Sequence, residues 1–439
     1  MTALEPRPHT VGVLLAGGVG RRIGLDTPKQ LVEIAGRTII EHTLTVFQDA
    51  PEIDEILVLM TPGYTEDVER LVAAGEFTKV SAVIEGGASR TETTWRALRA
   101  LEKRAGRECD VLLHDAVRPL LEPRIITGCV EALRTHQAVE VAIPTSDTIV
   151  VVERRPDGEV VREVPDRAAL RRVQTPQGFR LAVIREAYER AFADPGFADR
   201  PPTDDCGVVL RYLPDVPIHV VPGSEHNLKV THPVDVLIAE RLFQLAAYGR
   251  ALRGRTVVVF GDNVAVAELA ERHGAVVFSF PATAARVEDP RSVADALAHA
   301  AKESGGVDYV VSAAEPPPTG TLGETDGAVL AEALGVAQLG PVNVARAALP
   351  YLRERRGHLL FHTASPYGTL RSVERAAVVA LTQALAEEWA ADGVRVSCLA
   401  PEPATEAPSR EDVARAALDV LVSGLSGRVT TVRAGRTGT

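Results

Sequence analysis

The chain predicts an α/β fold made of two units, each a mostly parallel sheet with helices on both faces. Three observations carry this. Short apolar runs bounded by glycine alternate with amphipathic helical stretches along the whole chain. The alternation starts afresh at Thr256, after a long helical stretch and a linker-like Arg250–Arg255. The length, 439 residues, is more than one core usually serves. The units are set at 1–249 and 250–439.

In the first unit, Val11–Leu15 reads as a strand and Thr38–Gln48 as a helix. Glu55–Met60 and Val80–Ile84 are further strands around a helix at Thr65–Ala74, and Gly86-Gly87 opens a helix at Thr91–Arg104. Asp110–Leu113, Val139–Ile143, Thr148–Val152 and Val216–Val221 complete the strands, with helices near Ala182–Phe192 and Pro233–Tyr248. Pro156-Asp157-Gly158 is a hairpin turn. Its strands have few apolar partners, which predicts a projecting β-arm that packs on a second subunit. In the second unit the same rules give strands at Thr256–Phe260, Val276–Phe280 and Tyr309–Ser312, and a Pro-rich loop at Ala314–Gly320.

The composition excludes several classes. A net charge of -11 argues against general nucleic-acid binding, which needs a basic face. The cysteines Cys109, Cys129, Cys206 and Cys398 have neither disulfide nor zinc spacing and fit free thiols in a reducing cytoplasm. The N-terminus lacks a signal-peptide pattern, and no apolar run approaches a membrane span, so a cytoplasmic protein with no membrane partner is expected.

The most informative stretch is LLAGGVGRRIGLDTPKQ, residues 14–30. Gly17, Gly18 and Gly20 allow a tight turn after the first strand and a close approach to a ligand. Such a loop aims N–H groups at phosphate oxygens, and Arg21, Arg22 and Lys29 add positive charge. Gly86, Gly87 and Arg90 form a second anion-friendly helix start. His114, Asp115 and Arg118 follow a core strand, where a carboxylate suits Mg²⁺ held against phosphates, although an Asp near Pro119 also caps turns. Arg167 and Lys229 are unremarkable taken singly.

In chain order LAGGVGRRIGLDTPKQ, GGASRTETT, HDAVRP, QTPQGF, PTDD and NLKVTHPVD resemble the cytidylyltransferases that activate sugar-alcohol phosphates, over residues 10 to about 247. The best-known members act on 2-C-methyl-D-erythritol 4-phosphate and on ribitol 5-phosphate. The resemblance implies a Rossmann-like nucleotidyltransferase domain that joins CTP to a polyol phosphate with Mg²⁺, releasing pyrophosphate. It implies that Ala16, Gly17, Gly87 and Thr93 read cytosine, and that Asp115 and Ala116 lie by the ribose and the metal. Arg22 and Lys29 would stabilise charge on the triphosphate. Arg167 and Lys229 would hold the acceptor's phosphate, with Thr148 and Thr203 nearby. The arm near residues 150–170 would cross to the partner in a homodimer.

The second unit resembles the short-chain dehydrogenases/reductases through VVVFGD, ARAALPYLRERRGHLLFHTAS and ERAAVVALTQALAEEWAADGVRVSCLAP. The family's chemistry is missing. Its glycine-rich loop is shortened to Gly261–Ala265, and its Asn-Asn-Ala-Gly segment reads Ser312–Glu315. Arg371 and Arg375 stand where its Tyr and Lys belong, and Ala337 where its Asn belongs. Ser365 remains; Tyr367 is a displaced candidate acid or a turn residue beside Pro366. Arginine is no proton donor at working pH, so NADP(H) is not expected to be used. The fusion resembles bifunctional ribulose-5-phosphate reductase/ribitol-5-phosphate cytidylyltransferases. Pro401-Glu402, and Cys206 after Thr203-Asp204-Asp205, favour ribitol phosphate over methylerythritol phosphate as the acceptor.

Overall fold

A computed structural model describes residues 8–18, 27–105, 109–316, 323–363, 369–401 and 408–432. The chain divides into two compact units, Met1–Phe243 and Gln244–Thr439. Each is mixed α/β.

The first unit opens with β1 (Thr10–Ala16), buried along its whole length. A two-stranded ribbon of β2 (Glu33–Ile34) and β3 (Arg37–Thr38) leads into α1 (Ile39–Asp49). Thr38 and Glu41 cap that helix reciprocally: the Thr38 N–H donates to Glu41 Oε2 at 2.8 Å and the Glu41 N–H to Thr38 Oγ1 at 3.3 Å. Next come β4 (Glu55–Met60), α2 (Thr65–Ala74), β5 (Val80–Glu85), α3 (Arg90–Ala105) and β6 (Asp110–Asp115). Then follow α4 (Pro123–Leu133), β7 (Ala138–Pro144), β8 (Val151–Arg155), β9 (Gly158–Glu163), β10 (Arg171–Arg180), α5 (Leu181–Ala193), α6 (Asp205–Tyr212), β11 (Ile218–Pro222) and α7 (Pro233–Leu252).

Among the described residues the main sheet has seven strands in the order β11-β7-β10-β6-β1-β4-β5. Alternate residues of β1 serve two cores: Val11, Val13 and Leu15 on one face, Leu14 and Ala16 on the other. At Gly12 a Cβ would lie 2.4 Å from Phe47, so the missing side chain lets α1 lie close on the sheet. The chain proceeds from β1 to β4 and β5 on one side, then returns to place β6 on the other. That reversal leaves a crevice at the carboxyl ends of β1 and β6.

Three details differ from the sequence reading. The strand β10 lies between β7 and β6 and runs antiparallel to both. Its polar residues Gln174, Thr175 and Gln177 are buried, so no apolar run announces it. The hairpin β8–β9 forms its own two-stranded sheet, as the turn signal predicts, but starts at Val151, the partner of Glu163. Helix α7 continues to Leu252, into the stretch read as a linker, because Tyr248 and Leu252 are buried in a core of the second unit.

The second unit carries β12 (Thr256–Phe260), α8 (Val264–Arg272), β13 (Val276–Phe280), α9 (Pro290–Ser304) and β14 (Tyr309–Ser312). It continues through α10 (Gly327–Leu334), α11 (Gly340–Arg355), β15 (His358–His362), α12 (Thr369–Glu388), β16 (Arg395–Pro401), α13 (Arg410–Val422) and β17 (Val429–Val432). All pairings are parallel, in the order β13-β12-β14-β15-β16-β17. One stretch, Gly327–Arg355, is long and apolar enough by composition to match a bilayer span, contrary to the sequence reading. It packs Val344, Ala345, Ala348 and Leu352 into the core between β12, β14 and β15.

His358 is fully buried on β15, its ring against Leu421 O and Ser397 Oγ. Burial, with the Arg395 charge beside it, pushes its pKa down to about 4. His362 is held down to about 4 by burial as well. Between that value and the ordinary one near 6.5 the unfolded chain binds protons that the folded unit refuses. Acidification through this window is therefore expected to destabilise the second unit, by roughly 1.4 kcal/mol per pH unit for each histidine. Unfolding followed by Trp389 fluorescence in a Trp95→Phe background, from pH 7 to 5, measures the slope, and His358→Gln should flatten it.

Candidate functional site

The crevice above β1 and β6 is a cleft of about 190 Å³ lined by Gly17, Gly18, Lys29, Arg90, Asp115 and Lys229, among others. Its floor is main chain brought close by glycine. A Cβ on Gly17 would lie 2.8 Å from Thr93 Oγ1, and one on Gly86 would lie 3.1 Å from Gly17 Cα and 3.3 Å from Met60 O. Two strand ends thus meet at a spacing that only glycine permits. Thr93, buried on α3, accepts the Gly87 N–H at 3.0 Å and donates to Ser89 O at 2.8 Å. Gln30 is buried and donates its amide to Ala16 O at 2.7 Å and Gly18 O at 3.0 Å. It pins the start of the glycine loop. Gly20 and Arg22 lie outside the described residues.

The wall of the cleft is charged. Asp115 ends β6, with Lys229 Nζ at 2.9 Å, Arg90 Nε at 3.4 Å and Arg118 Nε at 3.6 Å. Burial alone would raise the pKa of this carboxyl, but the charges of Arg90, Lys229 and Arg118 hold it well below the carboxylate range. Asp115 is ionised at any working pH. Lys29 reaches across to Val230 O at 3.1 Å, so the loop lysine and the late Lys229 segment are joined. Ala116 is buried: its N–H goes to Leu15 O at 3.1 Å and its C=O accepts from Thr43 at 3.0 Å. It therefore builds the floor and leaves no free main-chain group.

The motif reading missed a layer of support beneath. Asp205, fully buried at the start of α6, ion-pairs with Arg90 Nη1 at 2.7 Å. Tyr188 donates to Asp205 Oδ1 at 2.5 Å. Gln177 on β10 accepts the Asp205 N–H at 3.1 Å and donates to Glu140 at 2.7 Å and to Asp204 at 3.0 Å. Burial pushes the Glu140 carboxyl up to about 7. His114 Nδ1 is 3.0 Å from Thr175 Oγ1, which also accepts the Asp115 N–H at 3.0 Å. Asn227 donates to Thr175 O at 2.9 Å, and its C=O accepts from Arg118 at 2.7 Å. The motifs QTPQGF, PTDD and NLKV meet here, which is the signal that their spacing alone does not give.

Arg167, Thr148 and Thr203 are not among the residues lining this cleft. Arg167 follows the arm and donates to Ser146 O at 3.0 Å; Thr148 and Thr203 are exposed. The arm exposes Val152, Val161 and Val164, the last two at 60% each.

In the second unit a cavity of about 330 Å³ opens at the ends of β12, β14 and β15, lined by Asp262, Asn263, Glu315, His362 and Arg410, among others. Gly261 has a φ of +99°, and a Cβ there would lie 2.4 Å from Ala313 O, so both its backbone and its surroundings call for glycine. Helix α8 starts at Val264, so the loop is short. On α12, Arg371 donates to Pro316 O at 3.2 Å and lies 3.6 Å from Glu374, while Arg375 donates to Pro401 O. Arg371 thus holds main chain of the loop after β14, and Arg375 the end of β16. Ala337 is buried, and Ser365, Tyr367 and Glu402 lie outside the described residues.

Known proteins resemble the chain in two successive stretches. A family profile described as 2-C-methyl-D-erythritol 4-phosphate cytidylyltransferase matches residues 10–244, and one described as enoyl-(acyl carrier protein) reductase matches residues 247–425. The chain is 52% identical over 239 residues to a 2-C-methyl-D-erythritol 4-phosphate cytidylyltransferase of Thermobifida fusca, covering 54% of this chain and 94% of the relative. A Bifidobacterium longum enzyme of the same name is 43% identical over 234 residues, 53% of this chain and 79% of its own. A bifunctional ribulose 5-phosphate reductase/CDP-ribitol pyrophosphorylase of Haemophilus influenzae is 35% identical over 422 residues, 91% of this chain and 87% of the relative. The chain belongs to the 2-C-methyl-D-erythritol 4-phosphate cytidylyltransferase family, with a short-chain-dehydrogenase-like domain in the same polypeptide.

Proposed function

We propose that the chain transfers a cytidylyl group from CTP to D-ribitol 5-phosphate, giving CDP-ribitol and pyrophosphate. The observation that carries the acceptor is the two-unit likeness to the Haemophilus enzyme over 91% of the chain. A second reading, 2-C-methyl-D-erythritol 4-phosphate, is favoured by the 52% identity of the first unit to the Thermobifida enzyme. Both acceptors are polyol phosphates.

In the reaction an acceptor phosphate oxygen attacks the α-phosphorus of CTP and the bond to pyrophosphate breaks. Two polyanions must approach each other, so the chain's contribution is positioning and charge neutralisation. The glycines of the loop and of Gly86-Gly87 let the main chain lie close against the nucleotide, with Ala16 and Thr93 shaping its base site and Ala116 its floor. Lys29 and Arg22 neutralise the triphosphate; Arg90 borders the same space. Lys229 and Arg167 hold the acceptor's phosphate, with Thr148 and Thr203 beside them. Arg167 comes to this space with the arm of a partner subunit, a reading supported by the exposed valines of β8 and β9.

Among the described residues no cluster of three metal-ligating side chains exists. Asp115, a single ionised carboxylate at the cleft, fits Mg²⁺, which is commonly bound by one or two carboxylates plus substrate phosphates. The ion supplies charge neutralisation on the phosphates when bound. The second unit does not use NADP(H) for hydride transfer in this reading. Support comes from Arg371 and Arg375, which donate to the main-chain carbonyls of Pro316 and Pro401 where a proton donor would stand. The protein works in the cytoplasm, without membrane or nucleic-acid partners.

Pyrophosphate release with CTP and Mg²⁺, run in parallel on the two acceptors, tests the proposal: ribitol phosphate should be preferred, and preference for the methylerythritol compound would replace it. Asp115→Asn is expected to lower kcat by roughly a hundredfold or more, the scale of losing one placed charge at a reacting centre, without loss of the folded state. Val161→Glu in the arm should shift the protein toward monomer in sedimentation and reduce activity with it; a dimer of unchanged strength would remove the arm from the interface.

A further inference from the structure

The charged cluster of the first unit extends below the cleft into the core. Arg90 lies between two carboxylates, 2.7 Å from Asp205 and 3.4 Å from Asp115, and the closer partner is the fully buried one. We infer that Asp205 is a positioning residue of the transferase: it holds the Arg90 guanidinium against the cleft wall and keeps it from closing on Asp115. The inference rests on the reading that CTP occupies this cleft.

Several groups around Asp205 favour this task. Tyr188 donates to one carboxylate oxygen at 2.5 Å, and Arg90 Nη1 forms an ion pair with the other at 2.7 Å. The Asp205 N–H is held by Gln177 at 3.1 Å, and Asp205 is the first residue of α6, where the helix dipole favours an anion. Asp204 cannot replace it, because its carboxylate accepts the Gly207 N–H at 2.7 Å and the Gln177 amide at 3.0 Å. Without Asp205, the remaining carboxylate within reach of Arg90 is Asp115. A guanidinium prefers a two-pronged grip on one carboxylate. Arg90 would then swing off the wall and neutralise the group that faces the nucleotide. Asp205 thereby decides how the positive charge of Arg90 is divided between core and cleft.

The test uses the full chain, with calorimetric CTP binding and steady-state kinetics on Asp205→Asn, Arg90→Met, the double variant and Tyr188→Phe. Asp205→Asn should weaken CTP binding roughly tenfold and lower kcat/KM for CTP by roughly ten- to a hundredfold, the cost of a small misplacement. The KM for the polyol phosphate should move little. The double variant should be no worse than Arg90→Met, since the effect of Asp205 passes through Arg90. If Asp205→Asn does not fold, Tyr188→Phe carries the decision at smaller amplitude, roughly two- to tenfold in the same CTP parameters. A folded Asp205→Asn that binds CTP as the wild type does, or losses that add in the double variant, would overturn the inference alone. A wild type that does not bind CTP would overturn the transferase reading and this inference together.

Discussion

The first unit is built around a carboxylate kept ionised inside a protein. Asp115 is almost buried, and an isolated charge there would be costly to desolvate. Lys229, Arg90 and Arg118 make it tolerable, and each comes from a different segment of chain. The pairing thus ties together α3, the end of β6 and the segment before α7. Losing one partner of such a set leaves its charges out of balance in a place poorly reached by water, which is destabilising. The charges therefore hold the cleft together as well as serving its chemistry.

Glycine sets the geometry on which those charges act. The loop after β1 and the turn after β5 touch at Gly17 and Gly86, and Thr93 fills the remaining space. Gln30 and Thr61 then take up the Ala16 carbonyl, at 2.7 and 3.0 Å. Such a floor is stiff: its hydrogen bonds are internal, so the cleft exists before a nucleotide arrives. Preorganisation of this kind is what transfer between two anions requires.

The second unit separates what a fold needs from what a reaction needs. Its parallel sheet and both cores are intact, with the strand reversal at β12 and β14 that places a crevice at Gly261 and Ala313. Arg371 and Arg375 donate to the main chain at Pro316 and Pro401. The packing needs of a sheet are met by apolar periodicity alone, whereas hydride transfer needs particular groups at particular atoms. The first therefore tolerates far more substitution than the second.

By itself the amino-acid sequence determined the elements whose signal is local. Thr256–Phe260, Glu55–Met60 and Thr65–Ala74 fall where apolar periodicity puts them, and the hairpin turns at the residues that turn chemistry demands. Gly17, Asp115 and Arg90 stood out as residue types that suit phosphate after strands, and Lys229 only through the motif resemblance; the structure brings Arg90 and Lys229 to Asp115. Tertiary structure alone decided the rest. The strand β10 is polar and buried, a combination that hides it from any hydrophobic pattern, and its burial makes sense only because Gln174, Thr175 and Gln177 bond to groups under the cleft. Asp205 follows the same logic. Its partner Arg90 lies more than a hundred residues earlier in the chain, and a charge in the core becomes intelligible only when the opposite charge is seen beside it.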